Sequence, residues 1–165
     1  MEHVSVDDLP REPYDDSLHT DRRDLSAALG TTDVAIVRYA LAPGERFSGS
    51  LHDHTDQEEV FVVLEGEATF EVETEDGSDE ITVGADEAVR FAPGEFQTGR
   101  NDGDEPLVAL AVGAPKDDGD VLISRIPVLE DRDVACPDCG LAYMRIAREG
   151  PGLVCPECDA RIEVE

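Results

Sequence analysis

Between Val34 and Gly113 the chain alternates short apolar runs with turn signals. "VAIVRYAL", "EVFVVLEG", "EATFEVET", "EITVG", "AVRFAP" and "PLVALAVG" are rich in Val, Ile and Phe, and Pro-Gly, Glu-Gly, Asp-Gly and Asn-Asp-Gly separate them. These are the residue types that strands and the turns between them require. Closely spaced strands without amphipathic helices between them predict an all-β fold, a small antiparallel barrel or jelly roll. Val60 to Leu64 is apolar at every position, so both faces of that strand are expected to be covered. A second sheet would cover one face; the N-terminal arm or a second subunit would cover the other, which makes a symmetric homodimer the economical expectation.

The first twenty or so residues are polar, contain Pro10 and Pro13 and show no period, so they read as an arm. Arg22 to Leu29 predicts a short helix, with Gly30 placed where a left-handed cap is wanted. After Gly113, "APKDDGD" reads as a polar joint. The expected organisation is an arm and short helix over 1–30, a barrel over 31–115, a linker over 116–132 and a separate C-terminal module over 133–165.

Charge changes this picture more than size does. Forty acids stand against twelve arginines and the single lysine Lys116, a net charge of -27. Such a surface repels itself in dilute buffer and becomes tolerable in molar salt, where the screening length falls to about 3 Å. The acids are spread along the whole chain among apolar runs, which argues for a folded, halophilic protein rather than a disordered acidic tail. Generic nucleic-acid binding, which neutralises phosphates with Lys and Arg, is disfavoured. No charged start followed by an apolar stretch and no membrane-length run occurs in the sequence, so the expectation is a soluble, cytoplasmic protein with no membrane partner.

"LHDHTDQEEVFVVLEG" holds two of the four histidines, His52 and His54. Residues two apart on a strand share a face, so both rings can point into the barrel. A carboxylate from the next strand would complete a site of two imidazoles and one carboxylate with positions left open, which suits a divalent transition metal that also binds substrate or oxygen. Glu58 and Glu59 are both candidates, and alternation does not choose between them because the following strand is apolar on both faces. An isolated His-x-His on a strand is most often decoration; the carboxylate and the closing Gly66 at set offsets give this one weight.

Those offsets resemble the first motif of the cupin superfamily: His52-x-His54, four residues, Glu59, six residues, Gly66. "APGEFQTGRN" resembles the second motif, and together with the strand pattern the likeness spans roughly residues 34 to 113. It implies a double-stranded β-helix, that is a jelly-roll barrel, in a small single-domain cupin, which the charge makes haloarchaeal-like. It also implies that Glu59 is the carboxylate ligand while Glu58 faces away. In the family a histidine of the second motif is the fourth ligand; here Gly94 and Asn101 keep their offsets, but Gln97 holds the histidine position. Asp86, Ala92 and Arg46 are smaller departures, each close to a glycine or proline that serves the turn.

Two roles are open to Gln97. As a ligand its amide oxygen favours harder ions, shifting preference from Cu and Ni toward Mn, Fe or a less tightly held Zn. Alternatively it orients a bound water or the substrate through its amide. Gln57, Asp53 and Glu58 read as solvated or supporting residues. Phe47, Phe61, Phe70 and Phe91 read as core, whereas Phe96, beside Gln97, is a candidate for the pocket wall. Arg38, Arg90 and Arg100 are candidates for holding an anionic substrate, with Arg90 preferred.

"CPDC" at Cys136 to Cys139 and "CPEC" at Cys155 to Cys158 are fifteen residues apart. Two Cys-x-x-Cys turns at this spacing supply four thiolates that close tetrahedrally around zinc, with a hairpin between them turning at Gly150 to Gly152. A closed site leaves no open position, so this zinc would be structural, replacing a core that some thirty residues cannot build. The segment resembles a zinc ribbon. Disulfides do not suit a reducing compartment, and a redox pair would sit beside a βαβ unit, which the pattern lacks. With seven acids and three arginines from Asp133 onward, the module suits protein docking or intramolecular packing better than nucleic acid.

The functional expectation is a metal-binding cupin that acts on or binds a small molecule at an ion inside the barrel. The alternative is a non-catalytic small-molecule-binding or regulatory cupin whose zinc ribbon docks a protein partner. Whether it is an enzyme stays open, because fold does not choose. The charge yields the first prediction: circular dichroism follows loss of structure as KCl is dialysed away, and full stability in dilute buffer contradicts a halophilic surface.

Overall fold

The computed structural model describes residues 1–117 and 119–163, so the last two residues of the expected C-terminal module lie outside the described residues. The barrel region is built from β1 (Asp21–Asp24), α1 (Leu25–Leu29), β2 (Ala35–Leu41), β3 (Leu51–His54), β4 (Glu58–Glu65), β5 (Glu67–Thr74), β6 (Gly77–Gly84), β7 (Ala88–Phe91), β8 (Gln97–Arg100) and β9 (Leu107–Ala114). After it come β10 (Val121–Ile126), β11 (Arg132–Asp133), β12 (Met144–Ile146), β13 (Leu153–Val154) and β14 (Arg161–Ile162). Among the described residues the chain is all-β apart from α1 and one 3-10 turn at Val6–Asp8.

Two sheets face each other. The five-stranded sheet runs β1-β2-β9-β4-β7; the nine-stranded one runs β14-β13-β12-β10-β3-β8-β5-β6, with β11 paired to β10. Alternation supplies the core between them: Tyr39 and Leu41 of β2, Phe61 and Val63 of β4, Ala68 and Phe70 of β5, and Leu107, Ala109 and Ala111 of β9 are buried, with Phe47 and Phe91 among them. Phe47 stacks on Phe70 with ring centres 5.7 Å apart, and Phe61 tilts against both.

The expected helix over Arg22 to Leu29 forms only from Leu25. Asp21–Asp24 pairs with β2 instead, and Asp24 caps the shortened helix by accepting from the Ser26 and Ala27 amides. Gly30 ends it at φ +65°, as its position suggested. On β4, Phe61 and Val63 point into the core while Val60 and Val62 are half-buried and Leu64 is 43% exposed. The arm packs elsewhere: Tyr14 donates to the Phe47 carbonyl, and the fully buried His19 ring sits edge-on to Tyr14 and Tyr39. His19 Nδ1 donates to the Arg46 carbonyl at 2.9 Å.

The stretch 116–132, expected as a linker, contains β10, which pairs along β3 with Val121 opposite His54 and Ile123 opposite His52. Beyond it, β12 pairs with β10, and β13 and β14 follow, so the cysteine module continues the same sheet. A second apolar cluster of Ile123, Ile126, Val134, Met144 and Leu153 with Cys136 and Cys155 joins the module to the barrel. β10 pairs nearby with β11 and β12, but its pairing to β3 is long-range, so "VLISRI" carries no local sign that it joins the barrel sheet.

Gly66, at the β4–β5 turn, has φ +75°, and a Cβ there would stand 2.4 Å from the Pro106 carbonyl oxygen. Gly44, with φ +86°, has nothing within 4 Å of the same atom. Gly66→Ala combines backbone strain with overpacking and is expected to cost more than about 2 kcal/mol in denaturant titrations. Gly44→Ala, with strain alone, should cost less, and equal losses would contradict the steric assignment.

Candidate metal centre

Three strands from two sheets bring the site together. His52 and His54 stand on the face of β3 that looks into the barrel, and Gln97 of β8 lies directly across from His52. Glu59 comes from the opposite sheet, on the same side of β4 as Phe61 and Val63. Glu58 therefore faces outward, where its carboxylate pairs with Arg90.

One ligand atom each from His52, His54 and Glu59 lies within 4.8 Å of the others. The His54 Nε2 to Glu59 Oε2 distance is 3.7 Å, and the two imidazoles meet edge to face at 5.1 Å between centres. His52 Nδ1 donates to the Ser50 carbonyl at 3.0 Å, with Ser48 Oγ 3.4 Å away. A bond of this kind favours the tautomer protonated at Nδ1, in which Nε2 is the nitrogen that could ligate. Gln97, only 2% exposed, donates its amide to Glu59 Oε2 at 3.0 Å. Two imidazoles and one carboxylate, separated by distances that one ion spans, fit a divalent transition metal.

The site opens into a cavity of about 290 Å³ lined by Tyr39, Phe47, Phe61, Ser48 and the three ligand candidates, with Tyr14, Val121 and Ile146 toward its mouth. Among the described residues, neither arginine nor lysine lines it. Arg90 is bound to Glu58, Arg100 to Glu80 and Asp102, and Arg38 lies on the outer side of β2 between inward-facing Val37 and Tyr39. Phe96 packs its ring 5.7 Å from that of Tyr143, outside the cavity. A larger cavity of about 450 Å³ lies between the β5–β6 hairpin and the cysteine module, lined by Leu51, Glu73, Arg125 and Asp133, and contains none of the metal-ligand candidates.

Asp53 and Gln57, read from sequence as solvated or supporting, are both buried. Asp53 Oδ1 accepts from the Gly94 amide at 2.6 Å, tying β3 to the turn before β8; burial pushes its carboxyl above the usual range, with that hydrogen bond opposing. Gln57 donates to the Pro115 carbonyl at 2.7 Å. Sequence reasoning also missed Tyr14, Val121 and Ile146. Only the alternation in Val121-x-Ile123 and Met144-x-Ile146 hinted at the last two, and nothing in the arm marked Tyr14.

The four cysteine sulfurs also lie within 4.8 Å of one another. Cys136 and Cys158 are 3.4 Å apart, and Cys139 and Cys155 3.6 Å. Four sulfurs about 2.3 Å from a tetrahedral zinc stand at nearly these separations. The Cys136 thiol is lowered to about 6, first by the Cys139 backbone amide directed at its sulfur, which favours the thiolate that a metal requires.

Together the facing sheets and inward-facing ligands define a double-stranded β-helix with a candidate metal site. Residues 37–113 match the family model described as the cupin domain. Among solved structures, an uncharacterized conserved protein with a double-stranded beta-helix domain from Klebsiella pneumoniae is 23% identical with TM-score 0.57, covering 73% of this chain and 89% of its own. A putative sugar phosphate isomerase from Acidithiobacillus ferrooxidans is 23% identical with TM-score 0.59, over 88% of this chain and 81% of that one. A sugar phosphate isomerase from a cupin superfamily, from Silicibacter pomeroyi, is 19% identical with TM-score 0.60, over 87% and 92%. At these identities the likeness shows the fold alone. No curated protein matches the sequence. Among the described residues, no helix is long and apolar enough to cross a membrane.

Proposed function

We propose that this chain is a small cupin whose barrel holds a divalent transition metal, Mn, Fe or Zn, through His52, His54 and Glu59, and binds or acts on a small molecule there. The observation that carries this reading is the convergence of the three ligand atoms within 4.8 Å at the base of a cavity. Bound there, the ion would supply a Lewis-acid or redox centre with exchangeable positions.

The protein's own groups have distinct tasks. The Ser50 carbonyl fixes the His52 tautomer. Gln97 is a positioning residue in this reading: its amide donates to Glu59 and orients the carboxylate, so His52, His54 and Glu59 would hold the ion without it. Tyr39, Phe47 and Phe61 give the small molecule an apolar wall. Because no cation lines the cavity, a charged group on that molecule would be neutralised by the ion alone. The cysteine module holds a structural zinc in the manner of a zinc ribbon.

The second reading, a binding barrel without turnover, is favoured by one observation: the position where the resembled family places a further histidine ligand is occupied by Gln97. A ligand-dependent thermal shift without product would distinguish it.

Elemental analysis of protein purified in high salt should find a second equivalent of metal per chain, Mn, Fe or Zn, besides the zinc of the cysteine module. His52→Ala should lose that metal and keep the fold, whereas Gln97→Leu should retain the site but weaken affinity about 10- to 100-fold, as loss of a supporting hydrogen bond does. Equal metal content in His52→Ala and parent would sink the assignment.

A further inference from the structure

Ile146 belongs to the cysteine module by sequence, lying between Cys139 and Cys155, yet it lines the barrel cavity with His52, His54 and Glu59. Sheet register explains how. Val121 is opposite His54 across β3 and β10, and Leu122 is opposite Arg145 across β10 and β12, which sets Ile146 beside Val121. His54, Val121 and Ile146 thus form one cross-strand row on the inner face. At about 4.8 Å per strand, Ile146 stands roughly 10 Å from the His54 backbone, over the mouth.

What holds Ile146 there is the module. Two residues earlier on the same face, Met144 is fully buried with Ile123, Cys136, Leu153 and Cys155. At the end of the strand the Ala147 amide donates to the Gly152 carbonyl at 3.1 Å, and Arg148 Nε lies 3.0 Å from Asp120 Oδ1, just before β10. Ile146 itself is 47% exposed. A large apolar side chain kept half in water at the rim of a polar site is placed to meet whatever enters.

We propose that the cysteine module is a wall of the barrel cavity, and that Ile146 sets the size of molecule admitted to the ion held by His52, His54 and Glu59. The ligand class this favours is small, with an oxygen or nitrogen donor for the ion and an apolar remainder lying along Val121 and Ile146. The inference rests on the barrel site being a metal site. It gives the module a role within the chain, whereas a docking module would leave the barrel indifferent to it.

The test uses the full chain in high salt, with cobalt in the barrel and zinc retained on the cysteines, both verified by elemental analysis. Two probes of different size approach the cobalt: azide, followed by the visible spectrum, and ethylenediaminetetraacetate, followed by the rate at which it removes the ion. Ile146→Ala should raise the removal rate roughly tenfold and Ile146→Trp should lower it by a similar factor, with azide affinity changed by less than about twofold in both. Cys139→Ser with Cys158→Ser, which releases zinc, should behave like Ile146→Ala. The Ile146 substitutions change no formal charge, so between them and the parent the repulsion of the anionic chelator is held constant.

Equal removal rates in parent, Ile146→Ala and Ile146→Trp overturn the proposal while leaving the barrel metal in place. A parent that binds no cobalt responsive to azide, and is unchanged by His52→Ala, overturns the barrel reading itself and this inference with it. Should the double cysteine variant fail to fold, the two Ile146 variants still decide.

Discussion

The register of β3 is the constraint on which the candidate site depends. His52 and His54 look into the barrel only because this four-residue strand is held in one phase, and a slip by one residue would turn both rings to the opposite side. Both faces of the strand are committed. Leu51 and Asp53 are buried on one side, with Asp53 hydrogen bonded to the Gly94 amide; the histidines face Glu59 on the other. Backbone pairing to β8 and β10 fixes the rest. Burying a carboxylate raises its proton affinity and costs stability, so Asp53 is a costly anchor. Its position explains the expense, for it ties the strand carrying two ligand candidates to the turn that leads into Gln97.

Much of this was legible in the sequence, where the chemistry is local. The His-x-His spacing, Glu59 and Gly66 lie within one hairpin-length stretch, and the cysteine pairs announce themselves by repetition. The strands from Val34 to Gly113 have the apolar alternation and turn residues that give strands away. Less legible was whatever depends on a distant partner. β3 is polar at three of its four positions and β10 finds its barrel partner about seventy residues back, its other partners β11 and β12 lying in the module, so neither carries a local signal of being a barrel strand. Asp53 resembled a solvated acid among forty acids, and only the fold shows the amide that it meets. Arg90 looked available to a substrate until Glu58 proved to be beside it.

The departure at Gln97 acquires a physical meaning in the folded protein. An imidazole in that position could ligate; the amide instead donates a hydrogen bond to the carboxylate, leaving two imidazoles and one carboxylate as the candidate ligands. Continuity of the sheet then gives the cysteine module its significance. It does not hang from a tether but extends β3 through β10 into β12, so an apolar cluster and four sulfurs stand behind the strand opposite the histidines. Two candidate sites of contrasting hardness thus adjoin the nine-stranded sheet: one of sulfur alone, the other taking two imidazoles from that sheet and a carboxylate from the facing one, beside a cavity.

The central claim is that β3 and β4 present three side chains to one ion. Diffraction at a metal absorption edge, from crystals grown in high salt, tests it most directly. The account predicts an anomalous peak about 2.0–2.2 Å from a nitrogen of His52, a nitrogen of His54 and an oxygen of Glu59, with Gln97 outside bonding distance. A peak confined to the four cysteine sulfurs, with the histidine rings turned away from Glu59, would contradict it.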